Sequence, residues 1–418
     1  MFRVFRHKAF SLFFVGYFIS TIGNALFYLS VLWYVQLMTG EGKYVALLGL
    51  MITIPQLFMF VSGVVADRFS RRKVMLFTDV FSFIIVLFLS IYLAFFSYSF
   101  WVIAISFLLL NICHNLFMPA SRAFMPLTLP EGELTVGNSL FVMVTRIGAI
   151  MAATAGAFLL TLVNETYFFL FNAMTFLISA TFLLILKRFV NEQREMPSNQ
   201  VPEGRFSLKG FLNDIKDGVR VIKNEKILLF MLPGVLLTNL FFVTFFYLTP
   251  SWSQQILKAG AKGYSLLELS LGLGALTGAF ISGWISKWIT PKLGLTTAFL
   301  LQSVIVFFPM FPYLYPGMVV LFIASVGTGM AGAFMMTMMQ QIIPDDYRGR
   351  AFGLLMSVMG GIVPIGTILS GLLSSYIGLS GTFWISSVGC AGGAIMLAVT
   401  FATVPYQTGQ TSNTVISN

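Results

Sequence analysis

Charge is scarce in this chain: only 10% of its 418 residues are Asp, Glu, Lys or Arg, against about 25% in soluble domains. Together with 57% hydrophobic residues and a mean hydropathy of +0.89, this excludes a soluble globular protein. Cysteine is nearly absent. Cys113 and Cys390 are the two present, and both fall inside apolar runs, so neither a disulfide framework nor a metal site is expected. Histidine is equally rare, limited to His7 and His114. No metal-ligand pair at helical spacing and no nucleophile–base constellation is visible, so a membrane-embedded enzyme or a receptor finds little support and no cofactor is expected. No Walker-type phosphate loop occurs, which argues against direct use of ATP. A cleavage site is missing too. Arg3, Arg6 and Lys8 open an apolar run that continues to Met38, and this reads as a retained first helix.

What is abundant is apolar sequence in runs long enough to cross a bilayer, each needing about 20 residues. Twelve spans are predicted, at about 10–38, 45–66, 74–96, 99–119, 137–163, 167–187, 227–250, 265–287, 294–313, 317–342, 351–376 and 381–404. The expected fold is an all-α polytopic membrane protein, with twelve transmembrane helices in two pseudo-symmetric six-helix bundles. Residues 1–188 form the first bundle, 189–225 a cytoplasmic linker, 226–404 the second bundle, and 405–418 a disordered cytoplasmic tail. In the linker, Phe206, Leu208, Phe211, Leu212, Ile215, Val219 and Ile222 recur at helical spacing among basic residues. That pattern suits a helix lying on the inner membrane surface, or an extension of span seven.

The net charge of +10 is not arranged for nucleic acid. Twenty-one of the 25 Lys and Arg residues fall at span ends on one side, three (Lys43, Lys258, Lys262) fall on the other, and Arg146 lies within a span. The positive-inside rule then puts both termini in the cytoplasm of a multi-pass cell-membrane protein, expected to be bacterial and monomeric.

The turn at 63–73, Gly-Val-Val-Ala-Asp-Arg-Phe-Ser-Arg-Arg-Lys, joins spans two and three. An acid set among cations serves no insertion purpose. Ser62-Gly63 is echoed 220 residues later by Ser282-Gly283, where Lys287 replaces Asp67. A second echo pairs Leu129-Pro130-Glu131 with Ile343-Pro344-Asp345. Two related six-helix halves in parallel orientation are a transporter architecture, with substrate expected between them near the midplane.

On these residues the chain resembles the major facilitator superfamily over essentially its whole length. Closer similarity is to its macrolide-efflux and enterobactin-exporter branch, carried by 18–25 (Phe-Ile-Ser-Thr-Ile-Gly-Asn-Ala), 117–126, 137–140 and 343–350. The resemblance implies a conformational latch of Gly63, Asp67, Arg68, Arg71, Arg72 and Lys73. In that latch Asp67 accepts from the N-terminus of span eleven, where the helix dipole is positive. Two departures stand out. The stretch 152–157 has no proline and a single glycine where drug/proton antiporters often carry a Gly-Pro pair, and Asn24 stands where relatives often have an acid.

Charged groups within spans are costly and are candidates for function. Arg146 lies near the midplane and is expected to meet an anionic substrate group or a buried carboxylate. Glu268, Asp79 and His114 are candidates for proton coupling. The alternatives are an interfacial carboxylate at Glu268, a partner for one of the basic turn residues 68–73 at Asp79, and a hydrogen bond to a neighbouring helix at His114, beside Asn111 and Asn115. Candidate substrate contacts are Arg146 with the uncharged polar residues Asn24, Gln56, Asn115, Asn239 and Gln302. Phe27, Tyr28, Phe242, Phe246, Met335 and Met339 would add an adaptable apolar wall. The reading is a secondary active exporter of amphipathic organic compounds, such as drugs or secondary metabolites, coupled to protons by antiport and working by alternating access. The rival is export or flipping of a lipid-like molecule, a lysophospholipid or lipid-linked sugar. The expected partners are the lipid bilayer, a small amphipathic substrate and protons, without nucleic acid.

Overall fold

The computed structural model describes residues 2–57, 69–96, 98–130, 165–190, 225–342 and 348–404, together with residue 62, scattered positions from 133 to 151 and residue 220. Eleven long helices lie among them. They are α1 (Lys8–Thr39), α2 (Gly42–Leu57), α3 (Arg71–Phe95), α4 (Phe100–Phe124) and α5 (Glu165–Leu186), then α6 (Lys226–Tyr247), α7 (Gly260–Ile285), α8 (Pro291–Ser303), α9 (Leu314–Ile342), α10 (Arg348–Tyr376) and α11 (Gly378–Thr403). Ten segments are long and apolar enough to cross a membrane, and with them the protein is a multi-pass membrane protein. Predicted spans two and five fall partly or largely outside the described residues, as do most of the expected linker and the tail.

Helix is the required form here, because in hydrocarbon every backbone N–H and C=O must find its partner within the segment. The ends follow local chemistry. Gly40, at φ 67°, closes α1 by turning its N–H back to the Gln36 carbonyl. The Ser70 hydroxyl accepts from the Lys73 N–H at the start of α3, and Thr290, 220 residues later, accepts from the Leu293 N–H at the start of α8.

The chain divides into two compact units, 1–201 with 260–265, and 202–259 with 266–418. Their division falls inside the predicted linker, and the first residues of α7 group with the first unit. Inside the first unit α1 packs on α5, α3 on α5, and α3 on α4. The second unit repeats these pairings, with α6 on α11, α8 on α11, and α8 on α9. The repeat seen as faint echoes in sequence is therefore a repeat of helix contacts.

Within a bilayer, helices associate through close packing, because lipid tails are as apolar as leucine. Aromatic rings fill one end of the first unit, where Phe10, Phe13, Phe14 and Tyr17 meet Phe117 and Phe124. Leu, Phe and Met residues fill the second unit, including Met335, Met338 and Met339. Close approach of backbones does the rest. A Cβ on Gly278 of α7 would stand 2.0 Å from the Val326 carbonyl oxygen of α9, and one on Gly329 would stand 2.0 Å from the Ala275 oxygen.

Candidate functional site

A cavity opens inside the first unit among α1, α3, α4 and α5. Tyr17, Ser20, Thr21, Asn24, Phe27 and Tyr28 of α1 line it at the three-and-four spacing of one helix face. Thr78, Asp79 and Ser82 of α3, Leu110, Cys113, His114 and Phe117 of α4, and Phe176 of α5 complete the wall. The space suffices for about two or three water molecules.

Asp79 is the one carboxylate among its described lining residues. Only 3% of the residue is exposed, and the Ser179 hydroxyl of α5 donates to its Oδ2 at 2.6 Å. No cation lies within ion-pair distance of Asp79 among the described residues. The expected link from Asp79 to the basic turn is therefore corrected for Arg71, Arg72 and Lys73. Arg71 instead donates to the Ala123 carbonyl at 3.0 Å, because Asp79 sits two turns into α3 and faces α5 rather than the helix end. His114 is exposed although it lies in the middle of α4, since its ring borders the cavity.

Amides and hydroxyls tie the same helices. The Asn172 Nδ2 group donates to Asn24 Oδ1 at 3.4 Å. The Thr175 hydroxyl reaches the Asn172 carbonyl at 2.8 Å. The Tyr28 hydroxyl donates to Asn111 Oδ1, whose amide nitrogen donates to the Phe107 carbonyl at 2.8 Å. Gly23 makes this closeness possible, because a Cβ there would lie 2.3 Å from Thr175 Oγ1.

The predicted residues separate into groups. Asn24, Phe27, Tyr28, Asp79 and His114 share this one cavity. Asn115 does not join His114 there; it is buried, with its amide nitrogen lacking a hydrogen-bond partner. Met335 and Met339 are corrected from cavity wall to packed core, at 7% and 0% exposure, because α9 turns them toward α6, α8 and α11. Gln302 is buried at the α8–α9 contact, where a Cβ on Gly327 would stand 2.6 Å from its backbone nitrogen. Asn239 donates to the Met359 carbonyl at 2.9 Å and so ties α6 to α10. Phe242 is buried, while Phe246 and Gln56 are exposed. Glu268 lies more than two turns into α7 and is half-buried, with one carboxylate oxygen, Oε1, buried and without a hydrogen-bond partner. Gly63, Asp67, Arg68 and Arg146 lie outside the described residues.

Ser20, Thr21, Thr78, Ser82, Cys113 and Ser179 were missed by sequence reasoning. A signal was present for the last, since Asn172, Thr175 and Ser179 form a polar stripe at i, i+3 and i+7 on one helix.

Outside the membrane-spanning segments, His7 Nε2 and Glu133 Oε2 meet at 3.0 Å. Lys43 pairs with Glu41, and that hydrogen bond raises the lysine pKa above its ordinary value. Burial pushes the Tyr98 phenol up to about 12.

A family model described as Major Facilitator Superfamily matches residues 13–364 and again 293–415. Macrolide efflux protein A of Streptococcus pyogenes is 22% identical over 379 residues, which is 89% of this chain and 90% of that protein. Multidrug efflux pump Tap of Mycolicibacterium fortuitum is 24% identical over 374 residues, 86% of this chain and 88% of that one. Among solved structures, a bacterial homolog of the human lysosomal transporter Spinster, in an inward-facing and unoccupied conformation, superposes with a TM-score of 0.70. It is 13% identical, covers 96% of this chain and 99% of its own, and is similar in fold alone.

Proposed function

The chain belongs to the Major Facilitator Superfamily, and from that premise we propose that it is a proton-coupled exporter of amphipathic organic compounds. It is a transporter and not an enzyme, and the efflux functions in its relatives' names favour export. In this reading the two six-helix halves alternate access between the cytoplasm and the outside of a bacterial plasma membrane. The strong excess of Lys and Arg on one side of the spans supports cytoplasmic termini.

The observation that carries the coupling is Asp79. A carboxylate buried among hydroxyls and rings is costly unless a positive charge offsets it. With only a neutral hydroxyl as its described partner, it is suited to take up and release such a charge during a transport cycle. The drive available is substantial, since one elementary charge moved through 100 mV contributes about 2.3 kcal/mol before any pH difference. Titratable groups on the same cavity wall as Asp79 are Tyr17 and Tyr28 from α1 and Cys113 and His114 from α4. From α5 the facing group is the Ser179 hydroxyl. Glu268 is the corresponding candidate in the second unit.

The test is flux in proteoliposomes under an imposed pH gradient, with Asp79→Asn and Glu268→Gln compared against the unaltered protein. Loss of gradient-driven efflux, with flux of substrate down its own concentration gradient retained at saturating substrate, identifies the coupling acid. Efflux that ignores the gradient in the unaltered protein removes proton coupling from the proposal.

A further inference from the structure

The cavity within the first unit has a chemistry opposite to the one Arg146 suggests. Its described walls hold one carboxylate and no Lys or Arg. Asp79 shares the cavity wall with Ser20, Thr21 and Asn24, which bring hydroxyl and amide oxygens, and with Tyr17 and Phe117, whose rings stack at 6.3 Å. Ammonium groups are recognised by such a combination. A carboxylate supplies the countercharge, neutral oxygens accept the N–H donors, and aromatic faces attract the cation through their quadrupoles.

Size narrows the class further. Room for about two or three waters admits the amine end of a molecule but not a bulky ring system. We infer that this cavity is a binding site for the protonated primary or secondary amine end of an amphipathic substrate, with Asp79 as its counter-ion. Its described walls lie within the first unit, on α1, α3, α4 and α5. The apolar remainder of the substrate extends from the cavity mouth. This inference rests on the exporter reading for its physiological role, but binding itself is measurable without transport.

The test uses the full chain in lipid nanodiscs and isothermal titration with three matched probes: octylammonium, 1-octanol and octanoate. Octylammonium is expected to bind at concentrations where the alcohol and the carboxylate do not. Asp79→Asn is expected to weaken octylammonium at least tenfold while the thermal unfolding transition stays cooperative. A second variant, Thr21→Leu, fills the cavity and keeps the carboxylate, and it is expected to weaken the same probe. Octylammonium affinity unchanged in both variants overturns the site. So does tighter binding of octanoate that Arg146→Gln abolishes. Binding that behaves as expected, joined to an absence of flux for any amphiphile in proteoliposomes, leaves the site standing and removes the exporter reading instead.

Discussion

The two units share a scaffold and differ in what they bury. In the first, α1, α3 and α5 meet through Asn24, Asn172, Thr175, Ser179 and Asp79, all polar groups at a helix junction. In the second, the corresponding helices α6, α8 and α11 meet around Met231, Leu295, Phe299 and Leu397. Polar contacts described there include the Asn239 amide, which donates to the Met359 carbonyl of α10, and hydroxyls. Thr244 bonds Ser370 of α10 at 2.6 Å and Ser386 of α11 at 2.8 Å. Repetition of a fold therefore carries over which helices touch, while the chemistry at each junction is free to diverge. The first unit holds a cavity with a carboxylate; the second joins its helices through glycine contacts, hydroxyls and the Asn239 amide.

The sharpest way to break this comparison is to exchange the acids. Asp79→Asn is expected to abolish gradient-driven efflux in proteoliposomes, whereas Glu268→Gln is expected to leave more of it. Equal loss in both variants would erase the functional asymmetry between the units. Packing comes next. Gly278→Val brings a side chain against the Val326 carbonyl and is expected to cost about 1–3 kcal/mol, read as a fall in Tm in detergent or nanodiscs. If Tm holds, the α7–α9 contact yields more easily than its backbone spacing implies.

Smaller effects test the polar junctions. Ser179→Ala removes the donor to Asp79 and is expected to cost about 1–2 kcal/mol. It should also alter the pH dependence of transport, which a purely structural contact would leave in place. Thr244→Val in the second unit is expected to cost only about 0.6 kcal/mol, with 1.7 as the upper end, and to leave that pH profile unmoved. A shifted profile from Thr244→Val would show that the second unit's hydroxyls take part in the cycle.

Much of the architecture was legible beforehand. Ten of the predicted spans coincide with long apolar helices, because the thickness of the hydrocarbon sets a length that composition alone reveals. The echo between halves was legible too, and the N-caps at Ser70 and Thr290 share its spacing of 220 residues. Site residues were only partly legible. Asn24, Phe27, Tyr28, Asp79 and His114, all expected as site residues, share a cavity, but Met335 and Met339, expected as a binding surface, are core. Ser179 went unnoticed because a lone hydroxyl in an apolar run usually bonds its own helix, as Thr78 does with Val74.

By itself, the sequence determined that this chain spans a membrane many times in two related halves, and its motifs identified the superfamily. Those properties follow from length, composition and the order of short motifs along the chain. Which polar residues meet was decided by the tertiary structure alone. A soluble helix shows its inner face by being apolar there and polar outside. A membrane helix is apolar on both faces, toward lipid and toward its neighbours, so rotation about its axis leaves little trace in the pattern. Only the packed helices turn Asp79 toward Ser179 and bring Asn24 to Asn172. That packing makes one half's interior a candidate site and leaves its counterpart a core.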